Sequence, residues 1–525
     1  LQCTNSYSLE GTPSLSETKK HSFPPLQPHN ALTQSRPNTI AMAPSSTNRD
    51  RRRVVLLPLP YQGHINPMLR LAAALHSRGL AVTILHPETR APDRGKLPAD
   101  YRLVTIPDNI PPEVAASRDV ASFVFALNRN CAAAFRDYLA GALREEEEGE
   151  DGHVAFVVAD VDWFVPLSVA RELGVAALAL MTSSAVRFLV YLAYPSLCHK
   201  GYLPVQESNF NIAVEELPPF VVQDLHRVMD KTRHLAYTDL LAHIVAGVRQ
   251  SSGLIINTSE DIEGMEIERI RSEIALPVFS IGPLHMMTSS SVESSLLTED
   301  RSCLDWLDTQ RPNSVVYVSF GSLVGIDTDE FLEMAWGLAN SQRPFVWVVR
   351  PRLVHDCESS AIPGELQQKM GNRGRIVSWA PQQEVLRHPS VAAFLTHCGW
   401  NSTTESISEG VPMICRPLSG DQMGTARYVC DVWKVGVRVE VENQLKRGEV
   451  QAAITRLMDG KEGEMVRERM RDLRHVVVKC TSEGYLQVYR YTPFIVVSTT
   501  CGQSRPVYRG VCTLGAHGKG YFYST

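Results

Sequence analysis

Between Trp379 and Gln422 the chain reads WAPQQEVLRHPSVAAFLTHCGWNSTTESISEGVPMICRPLSGDQ. An apolar run of strand length, Val391–Leu395, ends at Thr396-His397-Cys398-Gly399, and a helix is expected to open at Asn401-Ser402. A strand end, a glycine and a capped helix N-terminus form an anion site, because free N–H groups and the positive end of the helix dipole face the ligand. His397 adds a donor there. Glu405, one turn further on, is placed to accept hydrogen bonds from vicinal hydroxyls such as those of a ribose. Trp379 offers a flat face on which a base can stack. Asp421 and Gln422 form a polar pair after an apolar strand and a turn, able to hold further hydroxyls.

A second candidate lies near the start of the regular sequence. His64 sits where the turn after an apolar run, Val54–Leu59, meets a helix, which is where α/β active sites form. An imidazole there could take a proton near neutral pH. Taken alone, this histidine reads first as a turn residue.

These residues need a scaffold, and the apolar pattern supplies one. Val54–Leu59 is a buried strand, His64 to Arg78 an amphipathic helix with Pro67 in its first turn, and Leu80–Leu85 the next strand. Strand, helix, strand implies parallel pairing with right-handed crossovers. Further strands are expected at Leu103–Ile106, Val154–Ala159, Val175–Leu180, Gly253–Asn257 and Val278–Ile281. Helices are expected at Val120–Leu143 and Pro166–Leu173, and the acidic run Glu145–Asp151 reads as a solvated loop. Residues 200–235 are less regular. After a Ser-rich linker the alternation restarts, with strands at Val315–Phe320, Phe345–Val349, Arg375–Val377, Ala392–Leu395 and Pro412–Cys415. The fold class is therefore α/β, with two doubly wound Rossmann-like domains facing across a cleft.

The stretch Trp379–Gln422 closely resembles the donor signature of plant family-1 UDP-dependent glycosyltransferases, which have the GT-B fold, and the similarity extends over roughly residues 53 to 484. W-A-P-Q, H-C-G-W-N-S, the glutamate and D-Q all fall at that family's positions. The resemblance implies that Trp379 stacks on uracil and that Gln382 helps hold the nucleoside. His397, Asn401, Ser402 and Ser322 would bind the diphosphate, and Glu405 the ribose. Trp400, Asp421, Gln422 and Thr182 would contact the sugar, with glucose the expected hexose. Pro60-Tyr61-Gln62-Gly63-His64-Ile65-Asn66-Pro67 is similar to the family's P-x-Q-G-H-x-N-P segment, which makes His64 the catalytic base. Asp160 matches its partner acid, which would orient the imidazole and stabilise its cation. Asp160-Val161-Asp162 also mimics a metal-binding D-x-D pair. With His397 and a helix N-terminus already present for the diphosphate, no metal and no cofactor are expected beyond UDP-glucose as co-substrate. The implied reaction is an inverting transfer giving a β-glucoside on a small plant metabolite or hormone. The first half looks most like the subgroup acting on benzoxazinoids, cytokinins and phenolics.

The resemblance divides the chain into an N-terminal acceptor domain (53–285), a linker (286–300), a UDP-sugar domain (301–484) and an atypical tail (485–525). Residues 1–52 are expected to be a disordered extension, with Met42 a candidate start. The tail lacks the glycine-rich turn and amphipathic helix that the family pattern would continue with. It supports an alternative in which the chain binds UDP-sugar and aglycone without turnover. A nicotinamide-dependent oxidoreductase would need G-x-G-x-x-G after the first strand, where this chain has only Gly63.

Bulk properties exclude other classes. With 525 residues and a formal net charge of −5, the chain has no basic footprint for nucleic acid. Its eleven cysteines and sixteen histidines form no CxxC and no HExxH pattern, so no structural zinc is expected. Cys398, Cys415 and Cys430 lie in apolar segments and read as buried thiols. The longest apolar stretch, Gly174 to Tyr194, is interrupted by Arg187, and the N-terminus carries no signal pattern. A cytoplasmic monomer without a membrane span is expected.

Overall fold

A computed structural model describes residues 52–116, 119–147, 153–226, 231–287, 297–354, 362–441 and 444–479. The expectations for the N-terminal extension up to residue 51, the middle of the linker and the 485–525 tail fall outside the described residues.

The first lobe is a seven-stranded sheet: β1 (Arg53–Leu57), β2 (Ala81–Pro87), β3 (Arg102–Ile106), β4 (Val154–Asp160), β5 (Ala177–Met181), β6 (Gly253–Ile256) and β7 (Val278–Ser280). The second has six strands: β8 (Val315–Ser319), β9 (Phe345–Val348), β10 (Gly374–Val377), β11 (Val391–Thr396), β12 (Met413–Cys415) and β13 (Gly436–Arg438). Their orders are β3-β2-β1-β4-β5-β6-β7 and β10-β9-β8-β11-β12-β13, and every pairing is parallel.

Helices cover both faces of each sheet, so the strands are continuous apolar runs. Every residue of β1, β4 and β8 is buried. The two-residue period divides them between layers: Val55 and Leu57 join one core cluster, Val54 and Leu56 the other. Val316 and Val318 part from Val315 and Tyr317 in the same way. In each sheet the strand order reverses beside its first strand, at β1/β4 and at β8/β11. The crevice outside the strand ends at such a reversal is where doubly wound sheets bind ligands. His64 and Asp160 follow β1 and end β4, while Ser322 and His397 follow β8 and β11.

One expectation is corrected. The long third helix runs Val120–Glu147 and takes in the start of the acidic run expected to be a loop. Glutamate is a good helix former, and Glu146 is held there by contacts to the His153 ring and the Val154 N–H. The apolar stretch Gly174–Tyr194 separates into β5 and a helix, Ala185–His199, capped by the Ser184 hydroxyl, which accepts from the Arg187 N–H at 3.1 Å. Among the described residues no helix is long and apolar enough to cross a membrane. Strand β13 spans three residues, too few for a period to show. Residues 461–479 are helical and send Met470 and Val477 into the second lobe's core.

Candidate active site

The helix expected from His64 begins at Gln62 and runs to His76, so His64 lies in its first turn. The His64 Nδ1–H donates to Asp160 Oδ2 at 2.7 Å, and Thr182 Oγ1 lies 3.1 Å from the same nitrogen. This leaves Nε2 as the ring's other nitrogen for chemistry. Asp160 is fully buried, whereas 30% of the His64 side chain is exposed. The second Asp160 oxygen accepts the Asp162 N–H at 3.1 Å. Burial alone would depress the His64 pKa. The Asp160 carboxylate outweighs it, with Asp162 and Asp421 adding to it, and the value is raised from 6.5 to about 9. Polar atoms of His64, Asp160 and Asp162 come within 4.8 Å of one another. The 2.7 Å between Nδ1 and Oδ2 is a hydrogen-bond distance that leaves no space for an ion between those two atoms.

Pro67 helps set this turn. It has no N–H to return to the Gly63 carbonyl four residues earlier. That carbonyl instead accepts from Asn401 Nδ2 of the second lobe at 2.8 Å. The proline in the motif thus frees a helix carbonyl for an interlobe bond beside the histidine.

On the second lobe, β11 leads into Cys398, which holds a left-handed φ of 65° with its N–H on Thr396 Oγ1. The helix Trp400–Glu409 follows, with Gly399 at its N-cap and no side-chain capping bond. Asn401 and Ser402, expected to cap it, lie in its first turn instead. A side-chain cap would occupy the N–H groups an anion needs. The first helical bond runs from the Thr403 N–H to the Gly399 carbonyl, which leaves the N–H groups of Trp400, Asn401 and Ser402 without helical acceptors. His397 lies between two glycines. A Cβ at Gly321 or Gly399 would come within 2.6 or 2.5 Å of its Nε2. Its Nδ1 is buried beside the Ser319 backbone without a hydrogen bond, and burial lowers its pKa to about 4. It is a neutral ring at pH 7. The Ser322 loop is fixed by Arg350, whose Nε donates to the Gly321 carbonyl at 2.8 Å and whose other arm bonds the Val324 carbonyl.

Gln382 Nε2 donates to Glu405 Oε2 at 2.7 Å and to Ser402 Oγ at 2.9 Å, while its Oε1 accepts from the Tyr317 hydroxyl at 3.3 Å. Gln383 Nε2 donates to the other Glu405 oxygen at 3.1 Å. Asp421 Oδ2 accepts the Ser183 hydroxyl of the first lobe at 2.6 Å. Gln422 Oε1 accepts the N–H groups of Leu418 and Ser419, leaving its amide NH2 as the group it can offer a ligand. Trp400 was expected to contact sugar. Its indole is buried and its N–H donates to the Asn257 carbonyl at 2.7 Å, so that N–H ties the lobes together.

These side chains surround one cleft of about 280 Å³ between the lobes, and every expected site residue except Asp160 lines it. Asp160 stands behind His64. Asn257, Ser183, Tyr317, Gln383 and Arg350 were not anticipated. Arg350 directly follows the apolar run Phe345–Val349 in the sequence, and only the fold shows that it is buried.

The profile of the family described as UDP-glucoronosyl and UDP-glucosyl transferase matches residues 238–473. The chain is 51% identical over 441 residues to the DIMBOA UDP-glucosyltransferase BX8 of Zea mays, an alignment covering 82% of this chain and 95% of that protein. It is 39% identical over 439 residues to UDP-glycosyltransferase 76B1 of Arabidopsis thaliana, covering 83% and 96%. The structure of Phytolacca americana UGT2, complexed with UDP-2-fluoro-glucose and pterostilbene, superposes with a TM-score of 0.71 at 27% identity, covering 85% of this chain and 99% of that one.

Proposed function

The chain belongs to the UDP-glucuronosyl and UDP-glucosyl transferase family, and from that premise we propose that it transfers glucose from UDP-glucose to a hydroxyl of a small plant metabolite. The observation that carries this is the opposition of two devices in one cleft. An Asp160-backed His64 stands on the first lobe, and an uncapped helix N-terminus flanked by His397 on the second.

In this reading the acceptor enters from the first lobe and places its hydroxyl at His64 Nε2. The imidazole takes the proton as the oxygen attacks the anomeric carbon, and Asp160 stabilises the imidazolium that forms. UDP lies against the second lobe. The free N–H groups of Trp400 to Ser402 and the helix dipole meet the charge that develops on the departing diphosphate. His397, neutral when the site holds no anion, donates one N–H to it. Trp379 stacks on the uracil, and Glu405, held by Gln382 and Gln383, takes the ribose hydroxyls. Asp421 and Gln422 hold the hexose, with Thr182 at the junction. Nucleophile and leaving group approach from opposite lobes, so one displacement inverts the anomeric centre and an α-linked donor gives a β-glucoside. The donor-side groups account for the diphosphate charge without a metal. Cys131, Cys303, Cys398 and Cys415 are buried free thiols, which suits a reducing compartment. The relative acting on DIMBOA, about half identical, supports a small heterocyclic or aromatic acceptor.

The test is the thermal midpoint with and without UDP or UDP-glucose, beside His397→Ala. A ligand at 100 times its Kd stabilises the fold by about 2.7 kcal/mol. The wild type should shift and the variant should shift far less. A cooperative melt that neither ligand moves refutes the donor site.

A further inference from the structure

Residues 220–226 belong to the irregular stretch of the first lobe, yet they lie against the second lobe's turn and helix that carry Asp421 and Gln422. Phe220 packs on Gly424 so closely that a Cβ there would come within 2.5 Å of its ring. Asp224 is buried and accepts from Arg427 Nε at 2.7 Å. His226 Nδ1 accepts the Gly420 N–H at 2.8 Å. A backbone N–H can only donate, so the ring carries its own proton on Nε2. Burial, with Arg187 adding to it, lowers the His226 pKa to about 4, which keeps Nδ1 unprotonated at pH 7. The ring is backed by Tyr237, with centroids 4.8 Å apart, and the Tyr237 hydroxyl accepts from Arg187 Nη2 at 2.5 Å.

Gly420 directly precedes the two residues given to the hexose, and both of those line the main cleft. It holds a left-handed φ of 69°. A glycine backbone is free to take many conformations, so what ties its peptide decides where the next residues point. Within the turn, Gln422 Oε1 accepts the N–H groups of Leu418 and Ser419. From the first lobe, Ser183 donates to Asp421 Oδ2 at 2.6 Å and His226 holds the peptide between Ser419 and Gly420. We propose that His226 is a positioning residue for hexose recognition: from the first lobe it fixes the Gly420 peptide and so aims Asp421 and Gln422 at the sugar of UDP-glucose. The groups given to uracil and ribose, Trp379, Gln382 and Glu405, belong to other segments, so the effect falls on the hexose and spares UDP. This rests on the reading of Asp421 and Gln422 as hexose ligands, and it adds that the acceptor-side lobe sets their aim.

The test is a calorimetric titration of the full chain with UDP and with UDP-glucose, in the absence of any acceptor. His226→Ala should weaken UDP-glucose binding about three- to tenfold, the effect of one lost hydrogen bond, and leave UDP within about twofold. His226→Phe keeps a ring against Tyr237 but removes the acceptor atom, and it should act in the same way; it decides the matter if the alanine variant does not fold. His226→Asn should recover most of the UDP-glucose affinity, because its side-chain oxygen can stand in for Nδ1. Asp421→Asn, titrated beside them, should lose affinity for UDP-glucose and spare UDP. UDP binding verifies the fold of each variant. The inference is overturned, and the glucosyltransferase reading stands, if Asp421→Asn separates the two ligands but the folded His226 variants weaken neither or both alike. It is also overturned if His226→Asn recovers nothing. If Asp421→Asn binds both ligands as the wild type does, or the wild type binds no UDP, the donor-site reading fails first and this inference falls with it.

Discussion

Replacing Asp160 with asparagine removes one charge and little else in shape, so it isolates what the carboxylate does for His64. The carboxylate is fully buried and 2.7 Å from Nδ1. It is the main reason the imidazole pKa stands near 9 in place of 6.5. At about 1.4 kcal/mol per tenfold, that difference is roughly 3 kcal/mol in favour of the imidazolium. The transition state contains that imidazolium, so the variant should lose roughly 100- to 1,000-fold in kcat/KM wherever the wild-type base is free. The sign of the pH effect follows. Wild-type kcat/KM should rise with pH until His64 deprotonates near 9. In Asp160→Asn only burial acts strongly on the ring, so the rising limb should move to or below about 6.5. The deficit should therefore be greatest above pH 9 and narrow toward pH 6.5. The assay is kcat/KM for glucoside formation between pH 6 and 10, with UDP affinity as the control. The pair also bears on folding. Its stabilisation is complete below about pH 6.5 and lost as pH rises through about 9, so the wild type's melting advantage should shrink across that window. A limb that stays in place, or a deficit equal at every pH, would refute the assignment of His64 and Asp160 as base and partner.

Gly399→Ala should weaken UDP binding at least tenfold in a calorimetric titration while the melt stays cooperative, because its Cβ would stand 2.5 Å from His397 Nε2. Trp400→Phe leaves the Asn257 carbonyl without its 2.7 Å donor. It should cost about 1–3 kcal/mol in denaturant unfolding and raise KM for donor and acceptor together. Glu405→Gln removes the charge held by Gln382 and Gln383. KM for UDP-glucose should rise about 10- to 100-fold with kcat changed far less, and an unchanged KM would remove Glu405 from the nucleoside site.

The site's chemical groups were written locally in the sequence. His397, Glu405, Asp421 and Gln422 belong to one stretch, and His64 belongs to one short turn motif. Apolar runs separated by helical periods announced parallel strands, because a strand covered on both faces must be apolar throughout. Short-range pattern could not supply the contacts that join distant segments. The Asn401 bond to the Gly63 carbonyl links residues 338 apart in sequence, and the Trp400 bond to Asn257 crosses 143. These join the two lobes, and they commit the Trp400 indole N–H and one Asn401 amide N–H to the interface. Only folding reveals that the helix at Trp400 has no side-chain cap, because its start one residue ahead of Asn401 puts Gly399 at the cap position and leaves the cap-forming types Asn401 and Ser402 inside the first turn. The His64 pKa is likewise a tertiary property, since a buried carboxylate from another strand and the loss of water around it set the value together. Residue identity determined which groups were available for chemistry. Packing determined which of their atoms remained free to perform it.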